Sequence, residues 1–177
     1  MMDGVVSSLR ADLENHIASL RRYARALLRN SSDADDLVQE TLSRALSRAD
    51  KFAAGTNLRA WLFAIMHNIY VNQVRRLAGR PGESSIDEEG MENRLSEAAR
   101  QESRIELRDL SRALDAIPEE QRQVLLLVAL EGLKYDEVAQ VLGVPIGTVM
   151  SRLSRAREAV RQKLSGNGAG SVLRRVK

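Results

Sequence analysis

The stretch that most constrains what this chain can fold into runs from Tyr135 to Arg157. Tyr135-Asp-Glu-Val-Ala-Gln-Val-Leu-Gly143 reads as a short helix. Asp136 and Glu137 fall in its first turn, where negative charge suits the helix dipole, and Val138, Ala139 and Leu142 form its apolar stripe. Gly143 stands where a left-handed residue ends a helix, and Pro145 where a first-turn proline is tolerated. The following helix is expected to bury Val149, Leu153, Ala156 and Val160 and to project Arg152, Arg155 and Arg157. Two helices across a tight turn, the second of them basic, form the outline of a helix-turn-helix shaped for a DNA groove.

Composition narrows the rest. The 177 residues allow one large or two small domains. Aromatic residues are only 3% of a 44% hydrophobic total, so Leu, Ala, Val and Ile must build the core, which favours helix packing over a β-sandwich. There is no cysteine, which excludes disulfides and thiolate metal sites and suits a reducing cytoplasm. The longest apolar run, Val124 to Leu130, is too short to span a bilayer, and no secretory signal pattern is expected at the N-terminus. Net charge is +3 but unevenly spread. Ile146 to Lys177 carries eight Lys or Arg against one acid, whereas Pro81 to Leu107 carries eight acids against three arginines. A basic end and an acidic middle fit a DNA-facing element beside a solvated connector.

Apolar periodicity predicts an all-α chain of two helical domains. Leu13, Ile17, Leu20, Ala24 and Leu27 mark a helix over about 7–29, and Ser32 with Asp35 resembles a capping box opening a second over about 33–49. Lys51 to Asn57 is expected as a loop and Leu58 to Leu77 as a third helix. Glycine, proline and acidic residues predict a flexible linker. Helices follow over about 95–116 and 119–131, before the helix-turn-helix. The expected division is a first domain over 7–80, a linker over 81–94, a second domain over 95–165 and a disordered basic tail over 166–177. No internal repeat and no strand pattern is visible.

Asp33-Ala-Asp-Asp-Leu-Val-Gln-Glu-Thr41, together with Ile117-Pro-Glu-Glu-Gln-Arg-Gln-Val and Glu131-Gly-Leu-Lys-Tyr-Asp-Glu-Val-Ala through Gly147-Thr-Val-Met-Ser-Arg152, resembles an extracytoplasmic-function (ECF) sigma factor of the sigma-70 family. The likeness covers sigma domain 2 over about 9–80 and sigma domain 4 over about 95–164. Asn57-Leu-Arg-Ala-Trp-Leu-Phe-Ala-Ile-Met-His-Asn68 and Arg21-Arg-Tyr-Ala-Arg-Ala-Leu27 further resemble the EcfG-like group that runs the general stress response of alphaproteobacteria.

The resemblance implies partners and site residues. Asp33, Asp36, Gln39 and Glu40 would meet the β′ clamp coiled coil of core RNA polymerase, where acids on a rigid helix give steering and register; the competing reading is a solvated face. Domain 4 would also meet the β flap. Lys51, Phe52, Gly55, Thr56, Asn57, Arg59, Asn68, Arg75 and Arg76 would engage the −10 element, capturing a base unstacked from the non-template strand. Phe52 offers a stacking face or a core contact, and Trp61 reads as core. Gly147, Thr148, Met150, Ser151, Arg152, Ser154, Arg155 and Arg157 would meet the −35 element, with arginines reading guanine edges and others holding phosphates. Met150 stands where many relatives carry a basic residue, and Lys134 where Ser or Thr commonly caps the helix, a loss of about 1 kcal/mol. Asp87, Glu88, Glu89 and Glu92 in the linker would thread the RNA channel or simply tether the domains.

An anti-sigma factor, in the stress-response group a small helical protein of the NepR type, would hold the free protein inactive. No membrane partner, small-molecule substrate, cofactor or metal is expected. His16 and His67 lie in no metal-type spacing; they read as exposed and as a helix-surface residue near DNA, respectively. The protein would not be an enzyme. The rival readings are a sigma mimic that sequesters an anti-sigma factor and a helix-turn-helix regulator that binds duplex alone.

Overall fold

The computed structural model describes residues 2–28, 30–52, 56–78 and 107–166, with side chains described between 12 and 76 and between 107 and 165 within those spans. All the regular structure among them is helical. The helices are α1 (Met2–Leu27), α2 (Ser31–Ser47), α3 (Leu58–Ala78), α4 (107–115), α5 (Glu119–Leu125), α6 (Tyr135–Leu142) and α7 (Ile146–Gly166). None of the described helices is long and apolar enough to cross a membrane. The linker acids Asp87, Glu88, Glu89 and Glu92 and the tail beyond 166 lie outside the described residues.

The first domain is α1 to α3. Leu13, Leu20, Tyr23, Ala24 and Leu27 of α1 are buried, as are Leu37, Val38 and Ala45 of α2 and Leu62, Phe63, Met66, Ile69 and Tyr70 of α3. Each fully buried large apolar side chain contributes roughly 1.5–3 kcal/mol. Tyr23 meets Phe63 edge-on, ring centroids 5.3 Å apart, the orientation that aromatic quadrupoles favour. α1 starts at Met2, earlier than periodicity predicts. α2 starts at Ser31 and its cap is Asn30, whose Oδ1 accepts from Ser32 N–H at 2.7 Å and Asp33 N–H at 3.4 Å. The expected Ser32–Asp35 box does not form, because Asp35 is drawn to Arg21 (3.3 Å) and Arg25 (3.7 Å) on α1. A 3-10 turn, Ala49–Lys51, leads out of α2.

In the second domain the apolar run does not continue as a plain helix. After α5 it widens into a π turn, Leu126–Leu130, with Glu131 N–H reaching Leu126 O at 3.1 Å. Gly132 (φ 65°) then reverses the chain in a conformation that L side chains avoid. At Lys134, which has no side-chain acceptor, Glu137 supplies the cap instead: its Oε2 accepts Lys134 N–H at 2.7 Å. Gly143 (φ 64°) closes α6, and Val144 N–H reaches back to Ala139 O at 3.1 Å. Pro145 stands one place earlier than a first-turn proline; its carbonyl accepts from Thr148 N–H (2.9 Å) and Val149 N–H (3.2 Å) and starts α7. Val149, Leu153, Ala156 and Val160 are buried at 7% exposure or less. In α6 the buried pair is Val138 and Val141, while Ala139 and Leu142 are half-buried.

The two domains pack together. α3 lies between α2 and α6, and α1 touches the π turn. One apolar core runs without a break from Leu13 and Phe63 to Val124, Leu127, Val138 and Leu153. A smaller cluster of Ala113, Ile117, Ala156 and Val160 holds α4 against α7.

Candidate nucleic-acid and polymerase interface

On α2, Asp33, Asp36 and Gln39 are exposed on the side away from buried Ala34, Leu37, Val38 and Thr41, as helical spacing dictates. Glu40 joins them half-buried, accepting from Arg44 at 2.6 Å and from Gln73 of α3 at 3.3 Å. The four residues therefore share one rigid, acidic strip.

The expected −10 set divides. Lys51 and Thr56 are exposed, and Gly55 lies outside the described residues. Phe52 is half-buried and packs on Trp61, ring centroids 5.2 Å apart and tilted 46°, so neither ring is wholly core. Asn68 is exposed and donates to Ala64 O at 2.9 Å. Arg75 and Arg76 stand exposed in the last turn of α3, where positive charge suits the dipole. Asn57 and Arg59 instead face the second domain. Asn57 Oδ1 caps α3 by accepting Ala60 N–H at 3.1 Å, while its Nδ2 donates to Glu137 of α6. Arg59 lies over the Phe63 ring, 5.8 Å from its centroid, and donates to Glu131 at 2.9 Å.

On α7, Gly147, Met150, Ser151, Ser154, Arg155 and Arg157 are exposed, and Thr148 is half-buried. Met150 is 51% exposed and Ile146, one turn earlier, 47%. A shallow hollow lined by Tyr135, Met150, Leu153, Ser154, Arg157 and Arg161 opens on this side. Arg152 does not project with Arg155 and Arg157. Its guanidinium turns onto Glu120 of α5 at 2.9 Å and is half-buried. It also faces His67 of α3, whose imidazole is held below its ordinary pKa by burial and by that positive charge. His67 is thus half-buried between the domains. His16 too is half-buried rather than exposed; burial and Arg59 lower its pKa, against a smaller opposing pull from Asp12.

Comparison with known proteins gives the family. Residues 13–67 match the sigma2 domain of PhyR, and residues 107–160 match sigma-70 region 4. The ECF RNA polymerase sigma factor EcfG of Rhodopseudomonas palustris (strain TIE-1) is 38% identical over 93% of this chain and 90% of its own length. This chain belongs to the ECF sigma factors of the sigma-70 family. Among solved structures, the sigma factor RpoE in complex with the anti-sigma factor NepR, from Bartonella quintana, superposes with a TM-score of 0.73 at 31% identity. That alignment covers 89% of this chain and 97% of the other. CnrH in complex with the cytosolic domain of CnrY gives a TM-score of 0.67 at 26% identity, covering 93% and 94%.

Several residues of this sigma factor that shape the site are not evident from sequence. Glu131 ends an apolar run and looks like an ordinary helix terminus, yet its side chain is fully shielded and clasped by Arg22 and Arg59 of the other domain. Tyr70 lies beside Glu119 and Arg122 of α5, and burial pushes its hydroxyl up to about 12. Tyr23 is shifted upward by burial as well. The one advance signal was an acid between a hydrophobic run and a glycine, which surface positions share.

Proposed function

We propose that this sigma factor binds core RNA polymerase in the cytoplasm through the acidic strip of α2 and through its second domain, reads −35 DNA with α7, and opens and reads −10 DNA with α3 and the turn before it. The observation that carries the reading is the outward face of α7. Ser151, Ser154, Arg155 and Arg157 stand exposed on a helix whose opposite side is locked by Val149, Leu153, Ala156 and Val160, the arrangement a recognition helix needs. An arginine on such a face can take guanine O6 and N7 together. A small helical anti-sigma factor of the NepR type, as in the RpoE complex, would hold the free protein. The chemistry of RNA synthesis belongs to the polymerase.

The test is multi-round transcription with purified core polymerase on fragmented genomic DNA, mapping RNA 5′ ends with and without the protein. New starts sharing two spaced motifs are expected. A second reading has its own support: the first domain matches the sigma2 domain of PhyR, so a sigma mimic that captures the anti-sigma factor is the alternative. Folded protein that produces no new start would favour it.

A further inference from the structure

Met150 breaks the pattern of the helix face on which it stands. Its exposed neighbours on α7 are Gly147, Ser151, Ser154, Arg155 and Arg157, a polar and basic company. Yet Met150 is half open to water, and so is Ile146 one turn earlier. Residues four apart lie one above the other on a helix, so the two form a single apolar strip. Leaving such a strip in water is unfavourable. The core gains nothing from it, because Val149, Leu153, Ala156 and Val160 already close the opposite side of α7.

Helical spacing places the strip against the rest of the DNA-facing surface. At 3.6 residues per turn, Ile146, Met150, Ser154 and Arg157 share one flank, with Ser151 and then Arg155 further round. The hollow that Met150 lines with Tyr135, Ser154 and Arg157 runs along this flank. Its hydroxyls and guanidinium suit a DNA backbone. Arg157 stands seven residues beyond Met150, roughly 10 Å along the axis at 1.5 Å per residue, close to the width of the major groove, about 12 Å. With Arg157 on a phosphate at the groove wall, Met150 comes over base edges. The apolar group that a base presents there is the C5-methyl of thymine, and an unbranched thioether adapts its shape to such a group. Other bases at that place would set a donor or acceptor against side chains that answer it weakly or not at all. A protein partner would call for a broader apolar surface than this strip, which Ser151, Ser154, Arg155 and Arg157 hem in.

We propose that Met150, backed by Ile146, is a specificity-determining residue that covers the C5-methyl of one thymine in the −35 element. The inference rests on the −35 role of α7 proposed above and adds the base that this flank selects. The test removes the methyl and nothing else. Promoter fragments from the mapped starts would carry deoxyuridine in place of each −35 thymine in turn, on either strand. Their binding would be measured with holoenzyme containing wild type, Met150→Ala or Met150→Leu. With wild type, one deoxyuridine is expected to weaken binding about fourfold, the worth of one buried methyl-sized group. Met150→Ala is expected to make that position indifferent to the methyl, and Met150→Leu to restore the difference. Wild-type holoenzyme that ignores every deoxyuridine would overturn the assignment, whatever the variants do. So would a methyl effect that survives Met150→Ala unchanged. A Met150→Ala loss equal on thymine and deoxyuridine templates would place the strip on a protein contact and overturn it too. Holoenzyme that selects no promoter sinks the proposed function as well, a result distinct from selective binding that ignores the methyl.

Discussion

The groups proposed to read DNA have opposite surroundings in the two domains. On α7, Ser151, Ser154, Arg155 and Arg157 are exposed on a face whose shape is set from behind by buried Val149 and Leu153. In the first domain, Asn57 and Arg59 are engaged by Glu137 and Glu131 across the seam. A side chain already pointing at its target needs little reorganisation on binding, whereas an engaged one must first be released, which subtracts from affinity. The difference separates a reader whose side chains stand free from one whose side chains are already engaged within the protein. Arg152 shows how finely this divides: it lies on α7 but on the flank turned to Glu120, so it belongs with the engaged group.

The harshest way to break the comparison is to remove the platform under the seam. Phe63 is fully buried, meets Tyr23 edge-on and lies beneath Arg59. Phe63→Ala is expected to destabilise the protein by roughly 3–5 kcal/mol in urea unfolding; a loss near ~1 kcal/mol would mean that the site collapses around the gap. Next comes the open face. Arg155→Ala is expected to remove about 1–3 kcal/mol of discrimination at one −35 base pair, read by competition between promoter variants for holoenzyme. Arg157→Ala is expected to weaken all variants alike and to reduce the salt slope by about one. If the two substitutions behave identically, the division into base-reading and phosphate-holding arginines is wrong.

Asn30 supplies a baseline away from both surfaces. It caps α2 through two N–H groups, so Asn30→Ala is expected to lose about 1 kcal/mol of stability without changing promoter preference or domain spacing. The smallest effect is a pH dependence at the seam. Burial lowers the pKa of His67, helped by Arg152, and that of His16, helped by Arg59 and opposed by Asp12, each from 6.5. The unfolded chain therefore binds more protons than the folded one, so stability rises with pH through this window. Lowering the pH below 6.5 is expected to weaken the folded protein progressively, and His67→Gln to flatten the profile. A stability that grows on acidification would contradict the placement of both rings.

Helix α7 shows what was legible in the chain. Its buried residues recur at helical spacing, and the two residues that set its entry, Gly143, which closes α6, and Pro145, whose carbonyl starts α7, act through their own backbone chemistry. The fold class, the order of the helices and the membership of the family follow from such local patterns. The start of α2 was less legible. Asn30 and Ser32 are both competent caps, and the choice was made by Arg21 and Arg25, which draw Asp35 onto α1.

Sequence by itself determined the helices, their apolar faces and the basic outward side of α7, because periodicity and end chemistry are local. Only the tertiary structure decided which of the polar groups are open and which are engaged. Glu131 is 109 residues from Arg22 and 72 from Arg59 along the chain, and nothing local marks it as buried. Its environment comes from the packing of α1 and α3 against the π turn, which removes the water and leaves the two guanidiniums to balance the charge.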